Sequence, residues 1–218
     1  LPRRVAAMRP QLDRDFVAAG KDPAKLATLE TRLLAVLRLK DATFAARQAV
    51  CQRLGLILAE SSAAKTNTPT AKVLGAMLLD ERDSDLARLA LDPVPGAAVD
   101  ALLNGALAKS SGHVRLGLIS SIGRRHLAAS VPALTQLLAD PDGTTATTAA
   151  RALGEIGTSE AATALQAAKG IPSVVIAHAR LQATTRLPAA DALRTVRELQ
   201  ADASLPTTLR AAAFRRSL

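Results

Sequence analysis

One four-residue phrase returns along the second half of this chain: VDAL at 99–102, VPAL at 131–134, ATAL at 162–165 and ADAL at 190–193, at steps of 32, 31 and 28 residues. A self-similarity of roughly 30 residues is the sign of a repeat array, whose unit cannot bury its apolar face alone and needs its neighbours. Each phrase opens an apolar helical pattern. A second follows after a short polar turn that carries breakers: Pro141 and Gly143, Gly170 and Pro172, Ser204 and Pro206. In the second pattern the apolar residues keep helical spacing; Val114, Leu118, Ile119 and Ile122 fall on one face. No segment alternates as a strand would. The unit is therefore helix, turn, helix, turn.

Composition supports this reading. Only three residues are aromatic, all Phe, while 49% of the chain is hydrophobic, so the core must be built from Leu, Ala, Val and Ile. Alanine, roughly a fifth of the residues, is the best helix former and lets helices approach closely.

The front half follows the same plan with poorer phrasing. DPAKLATLETRLLAVLRLK and DATFAARQAVCQRLGLILAES form one pair, TAKVLGAMLLDERD and SDLARLALDPVPG another. Gly55 and Asp92 read as equivalent positions. Their spacing of 37 exceeds the later step, which marks the polar stretch 61–70 as an inserted loop. Residues 1–20 read as an N-terminal capping segment, with the helix QLDRDFVAA preceded by a basic arm. The expected fold is all-α: a right-handed α-α superhelix of about six helix pairs spanning 1–218 as a single solenoid.

Gly154 and Gly157, in TTAARALGEIGTSEAATAL, raise the question of a phosphate-binding loop. Such a loop needs a strand before its glycines and a helix opening from them. Here a helix precedes Gly154, so the glycines end a helix. Gly157 suits a left-handed C-terminal position, and Thr158 or Ser159 can cap the next helix. Gly123 and Gly55 occupy the same slot in other repeats, without the second glycine.

VRLGLISSIGRR and TTAARALGEIGTSEAATAL resemble the second helix of HEAT-like repeats, of the short bacterial kind first named from phycobilisome lyases. Val114 and Arg115 match the opening of that motif; Ala149, Ala150, Ala152, Leu153, Gly154, Ile156 and Gly157 match its close. The resemblance is strongest over 97–170. It implies a binding scaffold and no particular reaction. It also implies a ladder in which a turn Asp precedes an Arg by six residues. Asp41 and Arg47 fit, whereas Asp140 is followed by Ala146 and Arg115 is preceded by Lys109, so the ladder reads as incomplete.

Enzymatic branches of related scaffolds find little support. A diiron centre needs His-Glu pairs, and His113, His126 and His178 are followed by Val, Leu and Ala. Cradling a damaged base needs aromatic residues, and the chain offers only Phe16, Phe44 and Phe214. A bilin-lyase-like activity rests on family analogy alone. No catalytic, cofactor or metal site is expected. Cys51 lies on an apolar stripe with Val50 and Leu54 and reads as a core thiol. A single cysteine allows no internal disulfide, no apolar run reaches membrane-spanning length, and the start at Leu1 reads as trimmed or processed; the compartment stays open, with the cytoplasm ahead of the periplasm.

The net charge of +9 suggests an anionic partner. Counted back from the helix-ending slot, Arg47 and Arg115 share a register, while Arg53, Arg88 and Arg151 scatter around the helix. The reading is a non-catalytic scaffold binding another protein through a curved groove. Arg47, Arg88, Arg115 and Arg151 are the candidate groove residues. Binding of nucleic acid or another polyanion is the alternative.

Overall fold

The computed structural model describes residues 2–39, 41–60 and 68–216, with side chains from Gln11 onward. These residues form thirteen α-helices and one 3-10 turn, with no strand among them. The helices are α1 (Pro2–Ala19), α2 (Pro23–Leu37), α3 (Phe44–Glu60), α4 (Pro69–Met77), α5 (Ser84–Leu91), α6 (Ala97–Leu107), α7 (Gly112–Arg124), α8 (Val131–Leu137), α9 (Gly143–Ile156), α10 (Ser159–Ala167), α11 (Ser173–Ala183), α12 (Ala189–Ala201) and α13 (Thr207–Arg215). After α1, first and second helices pack as α2 with α3 and α4 with α5 in the first unit, which α6 closes, and as α8 with α9, α10 with α11 and α12 with α13 in the second, which α7 opens. The basic stretch expected to precede Gln11 as an arm is part of helix α1. Of the inserted loop expected over 61–70, residues 61–67 lie outside the described residues, and Pro69 and Thr70 already belong to α4.

Helix starts follow local chemistry. The side chains of Asp22, Thr68, Asp142 and Thr158 each accept a backbone N–H from the first turn of the helix they precede. Pro23 and Pro69 stand at first helical positions, where the missing N–H costs nothing. At the other end of α9, Gly157 takes the left-handed conformation with φ +66°, and its N–H reaches the Leu153 carbonyl at 3.0 Å.

The chain divides into two compact units, residues 1–110 and 111–218. In the first, α3 packs against α5, and α4 against both α2 and α6, so second and first helices form separate layers. α1 lies on α2 and α3, held by ion pairs from Asp13 to Arg53 and from Asp15 to Arg32, the latter at 3.3 Å. Between the layers lie fully buried leucines: Leu33, Leu54, Leu74, Leu78, Leu86, Leu91 and Leu103. In the second unit α9 packs between α7 and α11, while α8 and α10 make the first-helix layer. Leu118, Ile119, Ile122, Leu134 and Leu153 are buried there. Ala177, Leu181, Val196, Leu199, Leu205, Leu209 and Ala213 close the core around α11, α12 and α13.

Candidate interaction surface on the second helices

Two kinds of contact set how neighbouring second helices lie against each other. The first is a glycine meeting an alanine backbone. A Cβ placed on Gly154 of α9 would stand 2.6 Å from the Ala179 carbonyl oxygen of α11 and 2.8 Å from its Cα. One on Gly123 of α7 would stand 2.9 Å from the Ala152 Cα of α9. Gly55 of α3 meets the backbone of Ala90 of α5 in the same way. Ala90 lies two residues before Asp92 and Ala152 two before Gly154, which bears out the equivalence of Gly55 with Asp92. Only glycine allows helices to come this close.

The second contact is an arginine at the start of one second helix reaching the turn before the next. Arg47 Nε donates to Asp83 Oδ1 at 3.0 Å, its Nη2 reaches Asp83 Oδ2, and its Nη1 donates to the Leu37 carbonyl at 2.9 Å. Arg115 Nη1 donates to Asp140 Oδ2 at 3.3 Å. The ladder read as incomplete within each repeat therefore runs between repeats. Asp41 is not the partner of Arg47, and Asp140, without an arginine of its own, receives the arginine of the preceding helix. The ion pairs lie toward the N-terminal ends and the glycine contacts toward the C-terminal ends, so α3 and α5 run parallel in the first unit and α7 and α9 in the second. Gly154 and Gly157 meet Ala179 and Ala183 in the same order, which makes α9 and α11 parallel too.

That geometry fixes which side chains face outward. Each residue is rotated about 100° from the last. In parallel neighbours the residue after the glycine and the residue before its alanine partner therefore turn to the same side. In the first unit these are Leu56 and Leu89, each 43% exposed. In the second they are Arg124 and Arg151 at one crossing, and Glu155 and His178 at the next. Arg124, Arg151 and His178 are exposed and Glu155 is half-buried. In the first unit the outward face of the second helices thus carries leucines; in the second unit, taken by itself, it carries mostly polar and charged groups.

Of the four candidate arginines, only Arg151 lies on this outward face. Arg47 and Arg115 are bound into the inter-repeat ion pairs. Arg88 is half-buried and donates to Asp85 Oδ1 at 2.6 Å, one turn away on α5. The sequence count missed Leu56, Leu89 and His178. Their signal is positional: each sits beside a close-packed glycine contact.

His126 supplies the left-handed residue at the end of α7, where Gly157 stands at the end of α9. Its φ is +54°, uncommon for a residue with a side chain. The Leu127 N–H reaches back to the Ile122 carbonyl at 3.2 Å, the six-to-one bond of a Schellman ending. The ring spans two neighbouring helix ends. Nδ1 lies 2.7 Å from the Glu155 carbonyl oxygen, which can only accept, so Nδ1 carries the hydrogen. Nε2 then accepts from Arg186 Nη2 at 2.5 Å.

Burial pushes the Cys51 thiol up to about 12; the nearby Arg47 guanidinium opposes this and Asp83 adds to it. The thiol is buried and protonated, as a core position requires. Among the described residues no group of His, Cys, Asp and Glu side chains is arranged to hold a metal ion, and no helix is long and apolar enough to cross a membrane. A small cleft between α10 and α12 is lined by the Arg180–Glu198 pair, which joins α11 to α12, and by the Arg194–Asp191 pair within α12, with Ser159 3.5 Å from Asp191. No histidine lines it to serve as a base for that serine.

Residues 99–184, from α6 to just beyond α11, match the family model described as HEAT repeats. This segment is HEAT-like, and the all-helical fold of the described residues is consistent with an α-solenoid. No curated protein matches the chain.

Proposed function

We propose that this chain is a non-catalytic scaffold of HEAT-like repeats, of the type first named from phycobilisome lyases, and that it binds another protein through the outward face of its second helices. The observation that carries this reading is the fixed register of that face. Gly55, Gly123 and Gly154 against Ala90, Ala152 and Ala179 hold neighbouring helices in contact. They leave Leu56 and Leu89 exposed in one unit and Arg151 and His178 in the other. Exposed leucines side by side on rigid helices suit a partner's apolar side chain. HEAT repeats commonly serve as protein-interaction scaffolds, which supports the same conclusion by fold analogy.

The test is site-specific photocrosslinking in extracts of the source organism. A photoreactive residue is placed in turn at Leu56, Leu89, Arg151 and His178, and at the exposed first-helix positions Gln136, Gln166 and Leu193. Discrete crosslinked partners are expected from the second-helix positions. Crosslinks confined to the first-helix positions would refute the assignment of the face.

A further inference from the structure

Arginines in the second unit divide by what they bond. Arg115, Arg180 and Arg194 each pair with a carboxylate: Asp140, Glu198 and Asp191. Arg186 and Arg216 do not. Arg186 donates to the neutral imidazole nitrogen of His126 at 2.5 Å, and Arg216 Nη1 donates to the Thr184 hydroxyl at 3.2 Å. A guanidinium held by a neutral acceptor is oriented but keeps its full charge. Both lie on the same edge, beside the C-terminal end of α11. Thr184 and Arg186 directly follow that helix, and Arg216 follows α13. The exposed Arg215 adds a third cation. The helix dipoles favour positive charge at these ends but do not neutralise it.

We propose that Arg186, Arg216 and Arg215, oriented in part by His126 and Thr184, form a docking edge for an acidic, extended segment of the protein partner. This rests on the scaffold reading and names the chemistry of part of its partner. Neighbouring helices stand about 8–10 Å apart, and an extended polyproline II segment advances about 3.1 Å per residue with three residues per turn, so every third side chain points to the same side. Carboxylates three residues apart therefore match successive helix ends, and a guanidinium fork receives a carboxylate in bidentate fashion. Nucleic acid is the less suitable anion. Affinity for a duplex is built from many phosphate contacts along the backbone, and this edge offers three arginines. Single strands need a row of aromatic platforms, and Phe214 is the one aromatic side chain on α13.

The test uses the full chain and a fluorescent peptide of about ten residues with Glu at every third position, spaced by Gly and Ser. Fluorescence anisotropy is read at low salt for the wild type, for R186Q/R216Q, and for K169Q, whose lysine is exposed on the opposite edge in the α10–α11 turn. Circular dichroism checks that each variant remains folded. Binding by the wild type and K169Q, weakened at least tenfold in R186Q/R216Q, is the expected result. Equal binding by R186Q/R216Q, or no peptide binding by the wild type, overturns the proposal. So does a short DNA duplex that binds more tightly than the peptide and loses affinity in the same variant, which would make phosphate the ligand. A wild-type chain that crosslinks its partner from the second helices but ignores the peptide refutes this inference and leaves the scaffold reading standing. Peptide binding without second-helix crosslinks does the reverse.

Discussion

Gly154→Ala isolates the close approach of second helices. The added methyl would stand 2.6 Å from the Ala179 carbonyl oxygen, 2.8 Å from its Cα and 3.0 Å from its carbonyl carbon. All three are backbone atoms, so no side-chain rotation relieves the clash. Reaching ordinary contact requires α9 and α11 to separate by about 0.8 Å over a tightly packed interface. Overpacking of this kind costs about 1–3 kcal/mol, and a backbone clash belongs at the upper end. Against it stands the better helix propensity of alanine, about 1 kcal/mol. The net expectation is a loss of about 2 kcal/mol, or a Tm lower by about 4–8 °C for a chain of this length. Gly105→Ala in α6 is the control. Nothing lies within 4 Å of a Cβ there, so only the propensity gain applies and Tm should rise by about 2–4 °C. Thermal unfolding followed by circular dichroism reads both. If G154A melts at or above the wild-type temperature, the glycine contact is not what sets helix spacing, and the register derived from it fails.

Arg47→Ala removes one member of a mostly buried ion pair, with 11% and 10% of the two side chains exposed, and strands the Asp83 carboxylate; urea denaturation should show a loss of about 3 kcal/mol. R47M/D83L, which removes both charges, should recover most of that loss, and a double variant as unstable as R47A would refute the reasoning. Cys51 should resist a disulfide reagent near pH 8 in the folded protein, because burial holds its thiol at about 12, and react fully once guanidinium unfolds the chain; rapid labelling of the native state would contradict its burial. Bonds from the Thr145 hydroxyl and the Thr144 and Thr145 backbone N–H groups hold the Asp142 carboxyl below its ordinary value. Its contribution to stability is therefore present above the usual aspartate range and lost as pH falls through the lowered value. D142N should melt below the wild type at neutral pH, with the gap closing in acid; a gap independent of pH would exclude the carboxylate's charge as the cause.

The helix pairs, the helix end at Gly157, a cap at Thr158 or Ser159 and the buried Cys51 were legible in the sequence. Each depends on local patterning: apolar spacing, turn breakers, a glycine beyond an apolar run. Gly154 and Gly55, by contrast, were read as helix ends and lie within α9 and α3, where the neighbouring backbone comes close. The basic stretch before Gln11, which the sequence suggests as an arm, is instead part of α1. The candidate surface was legible only in part. Arg151, whose place around the helix shares no register with the other candidates in the sequence, is exposed on α9. Arg47 and Arg115 share a register in the sequence and Arg88 does not, yet all three have a carboxylate partner in the structure.

The division has a physical reason. Hydrophobic period and turn chemistry act over a few residues and determine where helices begin, end and bury a face, so the sequence by itself determined an array of helix pairs. The fate of a charge depends on which group another repeat brings within 3–4 Å. Arg47 and Asp83 are 36 residues apart, Arg115 and Asp140 are 25 apart, and His126 and Arg186 are 60 apart. The two ion pairs differ in separation because the repeats differ in length, and the histidine contact reaches across two repeats, so no fixed spacing announces the pairs. Only the tertiary structure decided that Arg47 and Arg115 join neighbouring repeats while Arg151, Arg186 and Arg216 keep their charge at the surface.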